Sequence, residues 1–137
     1  MSIGRLGVKN FVRGWYGYCG SAFGPGGLRA RLRHHFSPTC RCHWHIDYLK
    51  AHARLRTVCW CADINHEHNL SRYLLEAGAQ VPVAGFGSSD CGCISHLVWV
   101  ENARLVDLLN RQIAADMGFS RLASAVLMMS LERSGRT

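Results

Sequence analysis

At 137 residues the chain is long enough for one domain with a proper core and too short for two independent ones. Sixteen Lys and Arg against nine Asp and Glu give a formal charge of +7, carried almost wholly by Arg because Lys occurs only at Lys9 and Lys50, and this composition points toward a phosphate-bearing partner without establishing one. There is no run of 18 apolar residues, and MSIGRLGVKNF lacks a signal-like stretch, so a soluble cytoplasmic protein is expected, with its odd number of cysteines, seven, as reduced thiols rather than a disulfide framework.

In chain order, Gly14 to Gly20 (GWYGYCG) reads as an aromatic strand running into a turn. The glycine-rich SAFGPGG then delivers the chain to a helix over 27–36, with Leu28, Leu32 and Phe36 spaced to face the core. CRCHWHIDYLKAHARL predicts a shorter helix with Trp44, Tyr48 and Leu49 as apolar contacts, and TVCWCA a buried strand. Asn65 is a plausible N-cap for NHEHNLSRYLLEAG, which carries Leu70, Leu74 and Ala77 on one face and is closed by Gly78 in a left-handed C-cap. A Pro and Gly turn region leads to a final strand, HLVWV. Beyond Glu101 the pattern is helical, first through Leu105, Leu108, Leu109 and Ile113, then, after Gly118, through Leu122, Val126 and Met129.

One constellation suggests chemistry. Tyr18 ends a strand, a glycine loop turns, and the next helix presents Arg31 and His35 four residues apart on one face. Cutting a phosphodiester requires charge stabilisation at phosphorus, a positioned water and help for the leaving oxygen, which Arg, Tyr or His, and a metal supply. Glu67, in the first turn of its helix where the dipole favours a carboxylate, is the candidate ligand for Mg2+ or Mn2+; it equally serves to complement the helix terminus.

The strings GYCGSAFGPGGLRARLRHH, HWHIDYL and FGSSDCGCISHL resemble the Uri-type branch of the GIY-YIG nuclease superfamily. Its members carry a Y-x-G-S-A turn, a G-L-x-x-R helix ending in His, an H-W-H-I-D-Y-L block and a G-x-S-D-C-x-C-x-S-H-L block. The resemblance covers residues 4–100, leaving 101–137 as a C-terminal helical extension. It implies an α+β fold, a small three-stranded antiparallel sheet flanked by helices, and metal-dependent hydrolysis of DNA. Carried over residue by residue, Tyr18 is the second motif tyrosine, Arg31 stabilises phosphate charge, His35 lies one turn later, and Glu67 is the metal glutamate on a looser match. One departure stands out: the family's first strand, bearing Gly-Ile-Tyr or Gly-Thr-Tyr, has no counterpart upstream of Tyr18. A misplaced start codon, an inactive copy, or a C-terminal element filling the strand's place would each account for it. Tyr16 shares a strand face with Tyr18 and supplies no strand.

Cys91, Cys93 and His96 are alternative zinc ligands, as are Cys40, Cys42, His43 and His45, although Cys-x-Cys spacing is not the usual Cys-x2-Cys. Cys59 and Cys61 read as small buried residues on one strand face. His45 and Asp47 suggest a hydrogen-bonded pair fixing a loop, and Asp90 and His96 a structural or substrate-contact role. Arg29, Arg31, Arg33, His34, His35 and Arg41, with Lys9 and Arg13, make a candidate nucleic-acid groove, to which His45 is added as a candidate nucleic-acid contact. Trp15, Tyr16 and Trp44 are candidates to stack on the bases of single-stranded or distorted DNA. The competing functional class is a nucleic-acid-binding or protein-interaction module on a decayed nuclease scaffold. The C-terminal run is expected either to pack on the sheet or to form a dimer contact.

Overall fold

The computed structural model describes residues 1–21, 26–38, 41–61, 67–103, 107, 111 and 124–131. The fold is α+β: a four-stranded antiparallel sheet with helices on both faces. The strands are β1 (Gly14–Ser21), β2 (Arg54–Cys61), β3 (Leu97–Val100) and β4 (Ser124–Leu131), in the order β2-β4-β1-β3. The helices are α1 (Gly27–Phe36), α2 (His45–Lys50) and α3 (Glu67–Glu76), and a 3-10 turn spans Gly4–Leu6.

Two expectations are corrected. The stretch 124–131, expected within a second amphipathic helix, is a strand, paired along its whole length with β1 and, across a bulge between Leu55 and Thr57, with β2. The sheet therefore has four strands rather than three, and its additional strand is internal. The preceding helical pattern through Leu105, Leu108, Leu109 and Ile113 lies outside the described residues, as do Asn65 and Cys40 and the side chains of Cys59, Cys61 and Leu70.

Strand alternation on β1 divides the core. Cys19 points to the face covered by α3, where it joins Leu74, Ala79, Val98 and Val100. Tyr16 and Tyr18 point to the other face, where Ile3, Ile46, Leu49, Val83, Phe86 and Leu97 close around them. Leu74, 1% exposed, anchors α3 on the first face, and truncating such a residue to Ala costs about 2–5 kcal/mol. After α3 the chain reverses at Gly78 (φ 103), where the Gly78 N–H donates to the Leu75 carbonyl and the Ala79 N–H to that of Leu74.

Phe36 was expected to face the core and is 61% exposed. It is the last residue of α1, and the chain turns extended at Ser37, so no further turn of helix covers it. Tyr16, a candidate for base stacking, is 0% exposed, and its hydroxyl donates to the Val12 carbonyl at 2.6 Å. Burial pushes its phenol up to about 12, with the Val12 bond opposing, so it is a neutral core residue.

Candidate functional site

α1 and α2 meet against β1, and their junction holds most of the residues singled out by the sequence. His35, on the last turn of α1, is 4% exposed and sets its ring edge-on to Tyr18 with centroids 6.5 Å apart. Arg31, one turn earlier, lays its guanidinium 4.1 Å from the centroid of Trp44. The structure thus sets Tyr18 against His35 and adds Trp44, against which both His35 and Arg31 lie.

Asp47 organises the junction. Its carboxylate is fully buried, accepts the N–H groups of His43 and Trp44 at 3.0 Å each, and lies 2.9 Å from His34 Nε2. Burial alone would raise its pKa, yet the two backbone N–H groups and His34 outweigh that and hold it below the usual carboxylate value. The expected His45–Asp47 pair is not formed: two residues apart on a helix point in different directions. His45 Nδ1 instead accepts the Gly87 N–H at 2.9 Å, with the ring against Phe86, and burial lowers its pKa.

His35 is pushed down to about 4, first by burial and then by the positive charges of Lys50, Arg31 and His34. It is a neutral imidazole at physiological pH. Two buried polar atoms here, Arg31 Nε and His35 Nδ1, have no hydrogen-bond partner among the described residues. Orphaned donors and acceptors are rare in folded proteins and mark places where a ligand or water completes the set.

Outside this junction an open cleft of about 580 Å³ is lined by Arg33, His34, Arg41, His43 and Trp44, among others. Arg29, Arg33 and Arg41 are solvent-exposed, and His34 is half-buried at the cleft wall. Of the cationic residues in the candidate groove, Arg33, His34 and Arg41 thus line one cleft together with Trp44.

Glu67 is the first residue of α3, and its side chain lies outside the described residues. It stands one turn before Ser71, whose hydroxyl donates to the Ser95 carbonyl at 2.5 Å, so the start of α3 is tied to the segment before β3. Asp47, the carboxylate beside His34, has both oxygens engaged and offers Mg2+ no free ligand.

A different group of side chains able to hold a metal ion lies in that segment. The ligand atoms of Cys91, Cys93 and His96 all fall within 4.8 Å of one another, His96 buried and both cysteines half-buried. Cys91 Sγ is 3.4 Å from His96 Nε2. Two thiols and an imidazole suit zinc better than Mg2+, which prefers oxygen ligands. Asp90, next to them, is exposed and accepts from the Ser89 hydroxyl at 3.3 Å. The sequence had already put Cys91, Cys93 and His96 forward as a zinc group, whereas its closure in three dimensions, and the role of Trp44 under Arg31, emerge only in the fold.

No helix among the described residues is long and apolar enough to cross a membrane. Neither the curated proteins nor the solved structures contain a match to this chain. A family model does match, over residues 1–117, spanning the α1–α2 junction and the Cys91–His96 segment alike, and the chain belongs to the family described as Domain of unknown function DUF123.

Proposed function

We infer that this chain is a nuclease domain of GIY-YIG type, in the Uri-like branch, that hydrolyses DNA phosphodiesters with one divalent metal ion. The observation that carries the reading is the meeting of Tyr18, His35 and Arg31 at a basic face, where buried nitrogens on Arg31 and His35 have no partner among the described residues. The strand β4 beside β1 is what replacement of the family's first strand by a C-terminal segment requires.

In hydrolysis a water oxygen forms a bond to phosphorus while the ester P–O bond breaks and the leaving oxygen takes a proton. Arg31 is placed to bind the phosphate and offset the charge that grows on it. His35, neutral and of low basicity, positions the attacking water or donates a hydrogen bond rather than carrying charge. The exposed Arg29, Arg33 and Arg41 track the backbone of the bound strand, and Trp44 offers a stacking surface beside them. Mg2+ or Mn2+, bound through Glu67, would supply Lewis-acid stabilisation.

A second reading, a module that binds nucleic acid without cutting it, draws on the near-complete burial of Tyr18 and His35, each 4% exposed. Labelled single-stranded and branched DNA, incubated with Mg2+ or Mn2+, separates the two. Nicking by the wild type, reduced on the order of 10²-fold or more in Arg31→Ala and Glu67→Ala with binding retained, supports the nuclease. Wild type and both variants equally inactive across metals and substrates, with DNA still bound, would select the binding module.

A further inference from the structure

We propose that Cys91, Cys93 and His96 bind one zinc ion, which clasps the 81–96 segment against β1 and α3. This site is separate from any metal held by Glu67, and it does not depend on the chain cutting DNA.

The segment between Gln80 and β3 runs over 81–96 without a helix or strand. Its neck is closed by backbone bonds, from Gly85 N–H to the Ile94 carbonyl at 2.7 Å and from His96 N–H to the Phe86 carbonyl at 2.8 Å. Val83 and Phe86 anchor the segment in the core and Ser88, Ser95 and His96 are buried, but no side chain of residues 89–94 is buried and Ile94 is 65% exposed. A segment with so little apolar surface gains order from a cross-link, and the metal group lies where one is needed.

The geometry is already near that of a bound ion. A thiolate at about 2.3 Å and an imidazole at about 2.0 Å from a tetrahedral zinc stand roughly 3.5 Å apart. The Cys91 Sγ to His96 Nε2 separation is 3.4 Å, and Cys93 falls within the same small group. Two thiols and zinc give a dithiolate with release of two protons, so the site carries no net charge once the ion is bound. Among the described residues three protein ligands converge, and with both cysteines half-buried the fourth position goes to water.

The clasp bears on its surroundings through Gly87. A Cβ built on Gly87 would lie 2.8 Å from Tyr18 Cε2 and 3.3 Å from His96 Cβ, so this backbone fills the space between the tyrosine ring and a zinc ligand. On the other side, the Ser95 carbonyl next to His96 receives the Ser71 hydroxyl from α3. Ordering the segment by zinc thereby fixes the wall against which Tyr18 rests.

Protein purified under reducing conditions without chelator should hold about one zinc per chain by elemental analysis. Replacing zinc with Co2+ should give the thiolate-to-cobalt charge-transfer absorption of a tetrahedral site. Cys91→Ser and Cys93→Ser, checked for folding by circular dichroism, should each lower zinc content on the order of tenfold. Cys42→Ser, at an exposed cysteine, should leave it unchanged. Folded wild-type protein without zinc and without a cobalt–thiolate band would overturn the site. So would full zinc content in the Cys91→Ser and Cys93→Ser variants, or a Cys91–Cys93 disulfide as the state isolated under reducing conditions. None of these readouts uses DNA cleavage, so loss of the nuclease reading would leave the zinc result standing.

Discussion

His34 Nε2 lies 2.9 Å from an Asp47 carboxylate oxygen, and this contact pins the last turn of α1 to the first turn of α2. The imidazole is one-quarter exposed and the carboxylate fully buried, so the two partners contribute unequally. Asp47→Ala removes the acceptor for two backbone N–H groups as well as for His34, and should lower stability by about 2–4 kcal/mol. His34→Ala, which leaves the carboxylate its two N–H donors, should cost only about 1 kcal/mol. Urea unfolding of both variants checks the order.

Acid should destabilise the protein in two separate windows. His35 titrates near 6.5 when unfolded and about 4 when folded, so the unfolded chain binds more protons between those values and stability falls as pH drops through that range. The loss amounts to at most about 3 kcal/mol. Asp47, held below its unfolded value of 3.8, contributes stability above that pH which is lost as pH falls through its folded pKa. His35→Gln should flatten the first window and leave the second, as read from unfolding free energy against pH.

Gly87 sits at φ 70, and the space beside its Cα is taken by the Tyr18 ring. Gly87→Ala should therefore destabilise by more than about 1 kcal/mol, through both backbone conformation and the displaced ring. It should also lower any DNA cleavage. Thermal unfolding and a nicking assay on the same sample measure the two effects.

Exposed Arg33 and Arg41 flank the cleft beside Trp44. If the cleft follows a DNA strand, Arg33→Ala and Arg41→Ala should each weaken binding to all single-stranded sequences alike. Each should also reduce the slope of log K against log salt by about 0.7. Fluorescence titrations at several salt concentrations give both quantities.

Val126 pairs with Cys19 on one side and Cys59 on the other. A proline there removes a ladder N–H and cannot be accommodated as at an edge, so Val126→Pro should cost about 3 kcal/mol or more. Were 124–131 a surface helix or loose tail, circular dichroism and urea midpoint would both stay near wild type.

Most of this fold is legible in the sequence because its elements are well punctuated. The aromatic strand opening at Gly14, the helix opening at Gly27 and the helix closing at Gly78 each carry a glycine at positive φ at their boundary. β4 lacks such marks: SAVLMMSL is a short apolar run rich in Leu and Met, and periodicity alone does not tell a buried strand from a helix there. At the candidate site, the placement of Tyr18 beside His35 was readable from spacing. The partner of Asp47 was not, because His34 is thirteen residues away while His45 is only two residues before it in the string. The signal that was present is an acidic residue at the third position of α2, which accepts N–H groups from the helix start rather than a ring two residues back.

The placement of β4 between β1 and β2 also governs how the chain must be made. Gly14–Ser21 and Arg54–Cys61 leave the ribosome long before Ser124–Leu131, the strand through which both join one sheet. During that interval each exposes an unpaired edge that another nascent chain can occupy. With its central pairing postponed to such distant partners, the domain should fold slowly for its size, and its yield in cells should depend on chaperones that shield those two edges until the last strand arrives.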